Sequence, residues 1–114
     1  MATSAQLQGV IEPVQKAVNA NATQITANSN NNASKALGAG NNASNQYGLA
    51  AKRVANIGNK NANAVRKAQL NIAQKHFTTA AIDSAANNPV KAATHARMGV
   101  SALKNYIGAN MANR

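Results

Sequence analysis

The chain is 114 residues long and carries twelve Lys and Arg against two acids, Glu12 and Asp83, for a formal net charge of +10. It has no cysteine, which excludes disulfides and thiolate metal sites. Leu, Ile, Val and Phe make up roughly a sixth of it, below the ~20% that, with high charge, marks a chain too poor in bulky side chains to build a large core alone.

Alanine, about a quarter of the residues, pulls the other way because it is the strongest helix former. Helix is easy for this chain and tertiary burial is scarce. The composition therefore predicts an all-α protein of extended or loosely packed helices that gain their order by assembly, as homo-oligomers or against a larger partner. A surplus of positive charge this large also draws a protein towards polyanions.

The first ten residues, Met1 to Val10, show neither a basic n-region nor an apolar h-region, so no signal peptide is expected. Leu7, Val10, Ile11, Val14, Val18 and Ile25 recur at helical spacing and predict a first helix, with Thr3 and Gln6 as a capping box and a kink or break near Pro13. Asn28 to Asn32 then read as frayed helix or loop, because Asn and Ser side chains compete with the backbone for hydrogen bonds. Asn21-Ala22-Thr23, Asn32-Ala33-Ser34 and Asn42-Ala43-Ser44 match the glycosylation sequon, as chance supplies in so Asn-rich a chain.

The tetrapeptide Asn31-Asn32-Ala33-Ser34 is repeated as Asn41-Asn42-Ala43-Ser44, and each copy leads to a glycine, Gly38 and Gly48. The expected organisation is an N-terminal helix with an Asn-rich end over residues 1–37 and a glycine hinge over 38–41, followed by a new helix capped by Asn41, Asn42 or Ser44. Gly38, Gly40 and Ala43 match dinucleotide-binding spacing, but no buried strand precedes them and that reading is rejected.

One long basic amphipathic helix is expected over residues 42–79. Tyr47, Ala50, Val54, Ile57, Asn61, Val65, Ala68 and Ile72 fall on a narrow stripe with alternating three- and four-residue steps, the pattern of a helix-packing seam with Asn61 as a polar interruption. Lys52, Arg53, Lys60, Arg66, Lys67 and Lys75 occupy other positions and form the candidate polyanion-binding face. Leu49, Leu70 and Phe77 lie off the stripe. Residues 80–114 form a C-terminal helical segment: a short helix around Ile82, then a helix started by Asn88-Pro89 with Ala93, Ala96, Val100, Leu103, Ile107 and Met111 on its apolar face and Gly99 and Gly108 as weak points.

No constellation suggests an enzyme, and no cofactor or metal is expected. His76, Asp83 and Ser84 are close enough in sequence to suggest a triad, but His76 sits in a Lys-His-Phe run on a helix, and His95 reads as a solvated helix residue that lacks further metal donors. The six cations of the long helix have no acid at helical spacing, which favours contact with a polyanion over mere solubility. No zinc finger or RNA-recognition motif is present, so nucleic-acid contact would be non-specific in sequence. The Ala, Val and Ile stripe suits helix packing better than a lipid surface, and stable membrane binding is not expected.

The Ala/Asn/Gln-rich helical texture, seen in Asn41 to Arg53, resembles the small internal virion proteins of T7-like tailed bacteriophages, the core, ejection or tail-lumen components. That resemblance implies a helical protein present in several copies in the virion interior or tail, made in the host cytoplasm, and packed against portal, tail or core proteins. The leading expectation is a non-enzymatic structural component of a phage particle that meets DNA or an acidic protein surface through its basic face. The alternatives are a sequence-nonspecific nucleic-acid-binding protein of the nucleoid-associated kind and a membrane-active amphipathic helical protein.

Overall fold

The computed structural model describes residues 2–60 and 64–112, with side chains described through 58 and from 64 to 107. They form four helices: α1 (Ser4–Ser29), α2 (Ala33–Lys60), α3 (Ala64–Ala85) and α4 (Pro89–Ala112).

Local signals set most ends. Thr3 and Gln6 make the capping box at α1, each side chain bonding the other's backbone N–H (Gln6 N to Thr3 Oγ1 3.1 Å, Thr3 N to Gln6 Oε1 2.8 Å). α1 runs through Pro13 without a break and ends in a Schellman turn. The Asn32 N–H reaches the Ala27 carbonyl at 2.8 Å, the Asn31 N–H reaches Asn28 at 3.1 Å, and Asn31 holds a φ of 55°. Asn32 then caps α2, its Oδ1 accepting from the Lys35 N–H at 3.2 Å. The Asn-rich stretch is thus an ordered turn of three residues.

α3 ends in the same way. Asn87 has a φ of 60°, and the N–H groups of Asn87 and Asn88 return to the carbonyls of Ser84 and Asp83. Pro89 opens α4, as the sequence predicts.

Two expectations need correction. Residues 38–41 are not a hinge: they lie inside α2, so neither Asn41, Asn42 nor Ser44 caps a helix. Residues 42–79 are not one helix either. α2 ends at Lys60, α3 begins at Ala64, and the two lie antiparallel, with Ser44, Gly48 and Ala51 of α2 lining one groove with Thr78, Ile82 and Ala85 of α3. Gly58 correspondingly sits beside Leu70.

The chain is an up-down-up-down bundle in which α1 packs on α2, α2 on α3 and α3 on α4, while α4 closes more sparsely onto α1. Every helix buries residues at alternating three- and four-residue steps: Val10, Val14, Ala17, Asn21 and Gln24 in α1; Ala36, Gly40, Ala43, Tyr47, Ala50, Val54 and Ile57 in α2; Leu70, Ala73, Phe77, Ala80 and Ser84 in α3; Pro89, Ala92, Ala96, Gly99, Leu103 and Tyr106 in α4.

Among the described residues, twelve of the twenty-one buried hydrophobic ones are alanine, so the helices approach closely rather than interlocking large side chains. The radius of gyration of 14.7 Å is near the ~13 Å of a compact domain of this length and far from the ~34 Å of an unfolded one. Loose or extended packing, the second half of the fold expectation, is thereby corrected: alanine supplies enough contact when four helices share it.

Candidate polyanion surface and polar core

The stripe expected to form a helix-packing seam divides at the end of α2. Tyr47, Ala50, Val54 and Ile57 are buried inside the bundle itself. Asn61 lies outside the described residues. Beyond it the stripe leaves the core: Val65 is 60% exposed, Ile72 44%, and Ala68 is exposed. α3 begins in a new phase and turns inward Leu70 and Phe77, two of the three residues that the stripe left aside; the third, Leu49, is exposed on α2.

The cations divide in a similar way. Lys52 of α2 and Lys67 and Lys75 of α3 are exposed. Arg66 is half-buried, and the side chain of Lys60 lies outside the described residues. Lys16, Lys35, Lys91, Arg97 and Lys104 are exposed as well, so positive charge covers all four helices instead of one face of one helix.

Arg53 has a different occupation. A helical N–H at Pro13 would bond the carbonyl four residues earlier, that of Gly9, but proline has no N–H to give. Arg53 Nη1 donates to that Gly9 oxygen at 2.8 Å, across the α1–α2 interface. The guanidinium thus satisfies the acceptor that Pro13 leaves open. Gln6, Asn56 and Ile57 line the shallow cleft around it.

The chain also buries a polar network that sequence reasoning missed. The Tyr47 hydroxyl donates to Asn21 Oδ1 at 2.6 Å, and Asn21 Nδ2 donates to Gln24 Oε1 at 3.1 Å and Ser84 Oγ at 3.0 Å. Gln24 Nε2 donates to the Ser84 carbonyl and to Asn87 Oδ1, each at 3.0 Å. Asn87 and Asn28 exchange amide hydrogen bonds at 3.0 and 3.1 Å. The network ties α1, α2 and the end of α3 together and gives the Ser84 carbonyl, which already accepts the Asn87 N–H, a second donor. Burial pushes the Tyr47 phenol well above the usual tyrosine range, against a smaller opposing pull from Arg97. The available signal was the placement of Asn21, Gln24 and Ser84 on core steps.

The histidine placements are equally unforeseen. His76 meets neither Asp83 nor Ser84 through a hydrogen bond, and Ser84 belongs to the amide network. Its Nδ1 lies 3.0 Å from Nδ1 of His95 on α4, the rings stacked with centroids 5.3 Å apart. Burial, then His95 and Lys75, lower the His76 pKa below its ordinary value. Among the described residues no three His, Cys, Asp or Glu side chains cluster, and no helix is long and apolar enough to cross a membrane. Comparison of the chain with family models, characterised proteins and solved structures finds no match in any of the three.

Proposed function

We propose that this protein is a non-enzymatic structural component of a phage particle, a short helical rod that packs among other virion proteins and contacts DNA or acidic protein through its cationic surface. The observation that carries this reading is the spread of exposed Lys and Arg over all four helices of a chain with two carboxylates. A rod of 52 × 18 × 17 Å between outer Cα atoms, charged on every side, suits non-specific contact with a polyanion better than recognition through one face. The particle assignment draws on the resemblance to internal virion proteins. The second reading, a free DNA-binding protein of the nucleoid-associated kind, draws on the same surface and on a core that each chain builds from its own helices.

Salt titration tests the shared part. Binding to random-sequence duplex DNA should weaken steeply and linearly on a logarithmic salt scale, by on the order of a thousandfold between about 50 and 200 mM if about six phosphates are neutralised. Lys52, Lys67 and Lys75 replaced together by Gln should flatten that slope with the fold intact. Failure to bind DNA or an acidic polypeptide at low salt overturns both readings. Recovery from intact particles at fixed stoichiometry separates the first from the second.

A further inference from the structure

α1 places its bulk unevenly. Its core-facing positions hold Ala17, Ala20, Asn21, Gln24 and Ala27, all small or polar, while the larger apolar Val18 and Ile25 stay more than a third exposed. Ile11, half-buried, lies on the same line, because Ile11, Val18 and Ile25 recur every seven residues. A lone exposed Val or Ile is ordinary on a folded protein, but three in register along one shoulder of a helix make a stripe.

The stripe faces α4 across the most sparsely closed edge of the bundle. A groove there is lined by Ile11, Val14 and Val18 of α1 and Val100 of α4, with Gln15 and Asn19 on the α1 rim. Arg97 and Lys104, three residues before and four after Val100, are exposed on α4 beside it. The groove is thus apolar at its floor, amide on one bank and cationic on the other. From this juxtaposition we propose that the α1–α4 groove docks one amphipathic helix of a partner protein, with Leu- or Ile-sized side chains along one face and Glu or Asp beside them. The proposal rests on the structural role inferred above and gives the chemistry of the partner in it.

Length and charge define the occupant. Ile11 to Ile25 spans about 21 Å at 1.5 Å per residue, four turns of helix, and apolar anchors at three-, four- and seven-residue steps follow such a line. A second copy of this chain has the apolar stripe but not the charge: with two acids against twelve cations, it would set Arg97 and Lys104 against further positive charge. Duplex DNA has the charge but no apolar side chains to fill the groove. An acidic amphipathic helix supplies both.

The probe is a synthetic helical peptide of about 18 residues, with Leu at heptad a and d positions and Glu at the flanks, titrated into the full chain. Methyl NMR should show one saturable site, with shifts concentrated at Ile11, Val18, Ile25 and Val100. Val18→Gln combined with Ile25→Gln, both at exposed positions, should weaken peptide binding by at least about tenfold and leave DNA binding unchanged. Arg97→Gln combined with Lys104→Gln should weaken it less and reduce its salt dependence. Equal binding of a peptide with the same composition in scrambled order, shifts spread over the α2–α3 face, no binding, or a dimer in sedimentation that buries the seam without peptide overturns the proposal. A chain that binds DNA yet not the peptide loses the groove alone, whereas one that binds neither DNA nor acidic polypeptide loses the structural reading as well. The methyl map on unaltered protein decides the case even where a variant fails to fold.

Discussion

The bundle is made of two helical hairpins with the same turn and the same core phase, yet different chemistry inside. Asn31-Asn32 and Asn87-Asn88 stand at equivalent points of α1–α2 and α3–α4, 56 positions apart, each with a left-handed Asn closing a Schellman turn. On that register Phe77 corresponds to Asn21, Leu103 to Tyr47 and Gly99 to Ala43. The second hairpin seats an aromatic ring on a glycine; the first joins a phenol to a carboxamide through a 2.6 Å hydrogen bond. Backbone geometry and heptad phase are thus shared, while the contents of the core are free to differ. The apolar pair supplies burial energy, and the amide network supplies directional contacts that fix which helix faces which.

Truncation at the two equivalent positions should expose that difference. Phe77→Ala removes a fully buried ring from above Gly99 and should cost about 3–5 kcal/mol, the largest single effect expected, measured by denaturant unfolding. Asn21→Ala removes less apolar contact but leaves Tyr47, Gln24 and Ser84 each one partner short, for about 1–3 kcal/mol. Equal costs would mean that the two hairpins are held in the same way, against the contrast drawn here.

Glycines sharpen the comparison within one helix. A Cβ at Gly40 would stand 2.7 Å from both Gln24 Nε2 and the Ser84 carbonyl, at the centre of the network, whereas at Gly38 nothing lies within 4 Å. Gly38→Ala should therefore stabilise the bundle by about 0.5–1 kcal/mol through backbone entropy alone. Gly40→Ala gains the same term but must displace a backbone carbonyl and a side chain that is itself hydrogen-bonded, for a net loss of about 1–2 kcal/mol. Thermal melts of the two variants should move in opposite directions. Movement in the same direction would mean that the close approach of Gln24 and the Ser84 carbonyl to Gly40 yields to a methyl group without cost.

The repeated tetrapeptide shows how far the fold was legible in the sequence. Asn31-Asn32-Ala33-Ser34 contains a turn, and Asn41-Asn42-Ala43-Ser44 is helix interior, although the residues are the same. What separates them is tertiary: Ala43 is fully buried, while Ala33 is exposed. Burial overrides a local preference worth a few tenths of a kcal/mol per residue. Signals that need only near neighbours were readable, as at Thr3 with Gln6 and at Asn88-Pro89.

The inward faces were harder to read because side-chain size misleads in an alanine core. Val18 and Ile25 seemed natural core residues and are more than a third exposed, while Ala17, Ala20, Asn21 and Gln24 are buried. For the cationic surface, the exposure of Lys52, Lys67 and Lys75 was readable from spacing. That Arg53 would meet Gly9 was only half readable: Pro13 identifies the open carbonyl, and nothing local identifies its partner.

The smallest effect expected concerns pH, and it sets the α3–α4 contact against the α1–α2 contact, which has no histidine. A chain with two carboxylates has few of the groups that usually govern acid unfolding, so the His76–His95 contact should weigh heavily on the acid side. Burial, His95 and Lys75 place the folded pKa of His76 below its unfolded value of about 6.5, so between those values the unfolded chain binds more protons than the folded one. The contribution is complete above the unfolded pKa and is lost as pH falls through the folded pKa. Tm should fall between pH 7.5 and 5, and His76→Gln should flatten that fall without changing the response to Asn21→Ala. An unchanged slope in His76→Gln would mean that the pair carries no part of the acid sensitivity, and that the second hairpin is held by Phe77 and its neighbours alone.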